Sequence, residues 1–184
     1  MATFFELVIK GDDRDVIPYL SGFAASARAR GMYFAEEAGL HVPALRSRIL
    51  HLGEVNHVIC TEALRGVLHD ALAKAAPRYH FEIKDERRVE RATFSFKVET
   101  PSLQIAKAVQ AAVAKLPRGV AVTDFVQHEE LDPSAKGAEV YSPVHDYFFT
   151  AKGKVEGDIG VIEFRQKLSS IDFVKCDEIE LHEK

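Results

Sequence analysis

The chain runs through one order of hydrophobic patterns and then runs through it again, offset by close to 90 residues. Ala2-Thr3-Phe4 returns as Ala92-Thr93-Phe94 after 90 residues, Gly31 is matched by Gly119 after 88, and Pro43 by Pro133 after 90. Isolated matches arise by chance, so the test is whether the elements around them recur in the same order. In the first half, Thr3–Lys10 alternates Phe5, Leu7 and Ile9 with Phe4, Glu6 and Val8, the period of a strand. Gly11-Asp12-Asp13 is a turn able to cap a helix, and Val16, Leu20, Phe23 and Ala27 follow at helical spacing. Pro18 is expected in the first helical turn, where its missing N–H costs little. Met32–Glu37 and Val55–Cys60 read as strands. Thr61 is a cap for a second helix with the stripe Leu64, Leu68, Ala71 and Ala75, stopped by Pro77; Tyr79–Lys84 closes the half as a strand.

The second half keeps that order. Phe94, Phe96 and Val98 alternate with Thr93, Ser95, Lys97 and Glu99 in a half-buried strand. Thr100 and Pro101 start a helix carrying Ile105, Val109, Ala112, Val113 and Leu116. Val120–His128 and Tyr147–Lys152 read as strands, Asp158 caps a helix bearing Val161, Phe164, Leu168 and Ile171, and Phe173–Leu181 is the last strand. Each half is therefore β-α-β-β-α-β. That order resembles the ferredoxin-like architecture. The expected fold class is α+β, a tandem duplication of a ferredoxin-like unit with lobes at 1–88 and 89–184. Right-handed crossovers then require antiparallel sheets of strand order 4-1-3-2 with both helices on one face. One larger sheet, formed edge to edge, is the alternative arrangement.

Composition bounds the partners. With 47% hydrophobic and 28% charged residues, the 184-residue chain is neither a disordered polyampholyte nor a collagen-like repeat. A net charge of −4 offers no general attraction to nucleic acid, and Arg87–Arg91, the densest basic stretch, reads as a solvated linker. Cys60 and Cys176, with no CxxC, suit a reducing compartment. No apolar run approaches a membrane span or a signal sequence, so a cytoplasmic location without membrane contact is expected.

One sheet face meets the helices and the other is expected bare, carrying Phe4, Glu6, Val8 and Lys10 with His80, Glu82 and Lys84 in the first half. The second half would carry Thr93, Ser95, Lys97 and Glu99 there. Phe4, Val8 and Phe148 are the apolar residues that can anchor a contact between halves or subunits, so a homo-oligomer through the sheet face or edge is one expected assembly. Glu6 is expected beside His80 or Glu82, with His57 completing a His–carboxylate–His group. That set can run acid–base chemistry, the catalytic candidates being Glu6, His57 and His80, and zinc accepts the same donors. The bland alternative is a solvated charge ladder. His51, His57 and Cys60 lack the paired spacings of a structural zinc site, so no metal is assigned and Cys60 reads as a small buried residue.

Both halves carry a long connection between their second and third strands, about Ala38–Glu54 and Glu129–His145, well beyond the usual hairpin length. The candidate ligand-binding residues are Asp12, His41, Arg46, Arg48, Lys136, Tyr141 and His145. Guanidinium groups clamp carboxylates and phosphates, whereas aspartates at a helix start ordinarily cap it. Lys152–Gly160 is glycine-rich but lacks the GxxxxGK[S/T] pattern, and reads as a turn. GxSxG, HExxH, GxGxxG, paired HxT/HxS motifs and the RNA-recognition aromatic octamer are all missing. The cofactor is unknown, and the sequence alone does not say whether the chain is an enzyme.

Duplicated ferredoxin-like lobes resemble metabolite-binding regulatory domains, although the characteristic Asp-x-Pro-Gly is not found in Gly11–Leu20. The resemblance implies a two-lobed protein that binds or senses a small, anionic metabolite. An enzyme built on Glu6, His57 and His80 comes second, and an adaptor docking through its sheet third.

Overall fold

The computed structural model describes residues 3–25, 31–35, 40–41, 55–130 and 148–183. They form two compact units, Met1–Ala92 with Ile179–Lys184, and Thr93–Glu178. The fold is α+β, and each unit has the ferredoxin-like topology.

In the first unit, β1 (Phe4–Lys10), α1 (Asp13–Ala24), β2 (Met32–Phe34), β4 (Val55–Thr61), α2 (Glu62–Tyr79) and β5 (Glu82–Val89) build a sheet of order β2-β4-β1-β5, with the two-residue β3 (Leu40–His41) between β2 and β4 in sequence. β1 is antiparallel to both of its neighbours, and β2 is antiparallel to β4. Alternation decides which residues meet the helices: Leu7 and Ile9, with Met32, Val58 and Cys60, share one core with Val16 and Leu20 of α1 and Leu64, Leu68, Leu72 and Ala75 of α2. β10 (Ile179–His182) belongs to this unit, pairing in parallel with β3, and the amide of Glu90 donates to the carbonyl of His182.

The second unit consists of β6 (Arg91–Thr100, from Thr93 on), α3 (Leu103–Ala114), β7 (Val120–Glu130), β8 (Phe148–Gly157), α4 (Gly160–Ser169) and β9 (Val174–Cys176). β8 lies between β6 and β7, and β9 takes the other side of β6, again the order 4-1-3-2. Phe94, Phe96 and Val98 are buried with Phe149, Ala151 and Val155 of β8, Val109 of α3 and Phe164 and Leu168 of α4. Ser95, Lys97 and Glu99 are exposed, as the alternation requires.

One sequence match between the halves survives as a shared device. Gly31 and Gly119 both take positive φ, 95° and 79°. Each carbonyl accepts the amide of the residue that leads into its unit's second helix, Thr61 at 3.1 Å and Asp158 at 3.3 Å. A Cβ on Gly31 would stand 2.7 Å from Cγ2 of Thr61, and one on Gly119 would collide with the Asp158 carboxylate. Gly119→Ala is therefore expected to lose at least about 1–2 kcal/mol from the left-handed backbone alone, read as a lower urea midpoint at unchanged m-value.

The other match does not survive. Phe94 faces α4, its ring 6.4 Å from that of Phe164, whereas on β1 it is Phe5 that packs on the helix-side core and Phe4 that lies on the opposite face. A strand displaced by one residue reverses every side chain, so Phe4 and Phe94 are out of phase despite the matching sequence around them. Pro43, Pro133 and Ala27 lie outside the described residues.

Several boundaries differ from expectation. α1 starts at Asp13, which puts Pro18 in the second turn, where it removes one helical hydrogen bond. α2 runs through Pro77 to Tyr79 and ends on His80, left-handed at φ 56°. Tyr79 and Phe81 owe their spacing to a ring cluster with Tyr19, centroids 5.1–5.9 Å apart, and the fourth strand starts only at Glu82. Ser102, not Thr100, caps α3, its hydroxyl accepting the Ile105 amide while Thr100 accepts that of Ser102. The final strand is split into β9 and β10.

Candidate functional site

The densest buried chemistry lies on the face of the first sheet turned away from its helices. Phe4, Val8, Ile59 and Val89 are fully buried, and so is Glu6 among them, at 0% exposure. The expectation of a bare, mixed face is thus corrected for this unit: Phe4, Glu6 and Val8 are interior residues. A carboxylate in such surroundings must be paired to stay charged. Glu6 has two partners, one from each neighbouring strand. Nε of Arg87 donates to Oε2 at 2.5 Å, and Nδ1 of His57 lies 3.2 Å from Oε1.

The register explains both. Arg87 stands directly opposite Glu6 on β5, and His57, opposite Val8 on β4, is the diagonal neighbour of Glu6. A slip in register between Val8 and Ile9 on the β5 side brings Arg87 rather than a residue of the opposite face to Glu6. Arg87 also reaches Glu183 at 3.6 Å. The His57 side chain is 8% exposed, and its Nε2 is buried without a hydrogen-bond partner among the described residues.

The structure therefore brings Glu6 and His57 together and leaves His80 out. His80 is exposed at the end of α2, its amide donating to the Ala76 carbonyl at 2.8 Å, because the helix extends beyond Pro77. Lys84 pairs with Glu82 at 2.5 Å, away from Glu6. Arg87 is the member of this buried cluster that the sequence did not reveal. Taking 87–91 as a linker hid it; continuing the strand period back from the buried Val89 to Arg87 and Asp85 was the signal that would have found it.

On the helix side of β5, Glu86 is held by Arg65 and His69 of α2, one turn apart, with His69 Nε2 2.6 Å from Oε2. Arg65 also lies over the Phe5 ring, 4.6 Å from its centroid. Burial pushes the Glu86 carboxyl up, but the hydrogen bonds from His69 and Arg65 and their positive charge outweigh it, so it titrates below its ordinary 4.5. A depressed native value means that this clamp contributes its full stability above the unfolded value and loses it as pH falls through the native one. The urea midpoint of the wild type is expected to fall on acidification below about pH 4.5, and Glu86→Gln to flatten that part of the profile.

The Cys60 thiol, buried in the helix-side core, is pushed up to about 12 by desolvation and by the Glu86 charge, so it is not a thiolate at neutral pH. Cys60 and His57 point to opposite faces of β4, Cys60 into the helix-side core and His57 towards Glu6. Among the described residues no group of three or more His, Cys, Asp or Glu side chains could hold a metal ion.

Of the other candidates, Asp12 caps α1, its Oδ1 accepting the Arg14 amide at 2.9 Å, and His41 contributes backbone to β3. Arg46, Arg48, Lys136, Tyr141 and His145 lie outside the described residues, as does His51. Lys152–Gly157 is strand rather than turn, and Asp158 accepts the Gly160 amide at 2.9 Å. No described helix is long and apolar enough to cross a membrane.

No family model matches the chain, and no curated protein matches it. Among solved structures the chain is similar to an unknown protein from Galdieria sulphuraria, at 16% identity over 99% of both chains with a TM-score of 0.31. It is also similar to a protein provisionally assigned as a glycine cleavage system transcriptional repressor, at 8% identity over 100% of this chain and 98% of that one, with a TM-score of 0.29. Both scores are too low for either likeness to bear on fold or function.

Proposed function

We propose that the protein is a small-molecule-binding or sensing module whose first unit takes its ligand at His57. The observation that carries this reading is the buried Nε2 of His57, which has no partner among the described residues while its ring is held from the other side by Glu6. A buried polar atom left unpaired costs about 1–3 kcal/mol, and a ligand that completes the bond recovers that cost. The expectation of an anionic metabolite rests on the guanidinium chemistry of Arg46 and Arg48 and stays part of the proposal.

The test is a thermal-shift screen of the full chain against small organic acids, amino compounds and nucleotides. Ligands of the folded state raise the melting temperature by mass action. At least one compound is expected to shift the wild type and to lose that shift in His57→Gln. A screen in which nothing shifts, or in which every shift survives the substitution, overturns the reading.

A second reading, an acid–base enzyme, is favoured by the same pair, because a carboxylate on Nδ1 orients an imidazole as a general base at Nε2. Turnover of a bound compound, abolished in His57→Gln, distinguishes it from sensing.

A further inference from the structure

We infer that the ligand meets Nε2 of His57 with a hydrogen-bond donor, an N–H or O–H group. This rests on the binding reading above and specifies which chemistry Nε2 accepts. Both oxygens of Glu6 act as acceptors. Oε2 receives the Nε–H of Arg87 at 2.5 Å, a charge-assisted bond that a carboxylate oxygen accepts. Oε1 faces Nδ1 of His57 at 3.2 Å, and two lone pairs do not share such a contact, so the proton between them sits on Nδ1. The neutral ring is then the Nδ1–H tautomer, and Nε2 presents a bare lone pair.

That lone pair lies in a side chain only 8% exposed, on the sheet face that also carries the fully buried Phe4, Val8 and Ile59. In such surroundings an acceptor without a donor is costly, and a carboxylate or phosphate oxygen placed against it is repelled. A hydroxyl or an amine fits it. The series Arg87–Glu6–His57 thus sets the polarity of Nε2: the arginine holds the carboxylate, the carboxylate holds the proton on Nδ1, and Nε2 is left as acceptor. An anionic metabolite that satisfies the site therefore also carries a donor group.

The inference has a direct readout and a reversal. In the 15N-labelled full chain, a long-range 1H–15N spectrum, with His57 assigned by loss of its peaks in His57→Gln, is expected to show Nδ1 protonated and Nε2 of the unprotonated type. A proton on Nε2 overturns the inference. Three probes of equal length, propanol, propylammonium and propionate, are then titrated while the His57 resonances are followed. Propanol or propylammonium is expected to move Nε2, and propionate is not.

In Glu6→Gln the amide keeps its oxygen for Arg87 and offers its NH2 to Nδ1, which moves the ring proton to Nε2. The preference is then expected to reverse, with propionate moving the resonance. Should Glu6→Gln not fold, the wild-type tautomer and titration decide alone. A wild-type response to propionate only overturns the inference and leaves the binding reading standing. A response to none of the three overturns both.

Discussion

Glu6→Ala is expected to lower the unfolding free energy of the first unit by about 3–5 kcal/mol, the range for breaking a buried ion pair from one side. The loss comes less from the missing attraction than from what remains. Among the described residues Arg87 keeps its charge with the exposed Glu183 alone in reach, and His57 loses the Glu6 oxygen that faces its Nδ1. A urea titration read by fluorescence of the tyrosines and by circular dichroism measures the change. The cause is checked by removing the whole set: Glu6→Leu combined with His57→Leu and Arg87→Met is expected to recover most of the loss, since apolar replacement of all partners leaves no charge stranded. A Glu6→Ala variant within about 1 kcal/mol of the wild type would show that these side chains are solvated rather than buried.

Phe164→Ala in the second unit is expected to cost about 3–5 kcal/mol. The ring, 1% exposed on α4, packs against Phe94 on β6, and little around it can collapse into the space because Val161 and Leu168 on the same helix are already fully buried. Phe148→Ala, on β8 but 45% exposed, is the matched control and is expected to stay within about 0.5 kcal/mol of the wild type. Equal losses in the two variants would contradict the assignment of the helix-side face as the core of this unit.

The difference between those two phenylalanines was legible before any coordinates. Alternation in Phe94–Val98 and the stripe Val161, Phe164 and Leu168 have one period each, and a period assigns a face without reference to the rest of the chain. The candidate site was half legible for the same reason. Glu6 and His57 were paired from strand period and topology alone. His80 was misassigned because the aromatic spacing Tyr79, Phe81 serves a ring cluster at the end of a helix, and a spacing of two is common to both uses. Arg87 was overlooked because an alternating run of charges looks solvated unless a neighbouring strand supplies a buried counter-charge.

What the amino-acid sequence determined by itself was the element order, its repetition, and the helix-side face of most strands, because these follow from local periodicity and from glycines such as Gly31 and Gly119 that only one backbone conformation requires. Tertiary structure alone decided the register of β1 against β5, the burial of Glu6 with Phe4 and Val8, and the burial of a His57 Nε2 that has no partner among the described residues. Register is settled by which residues of distant strands stand opposite one another, and a single-residue slip exchanges an interior face for an exterior one without altering any local pattern. A charge stays inside only where such long-range pairing supplies its partners, and no window of sequence contains both ends of that pairing.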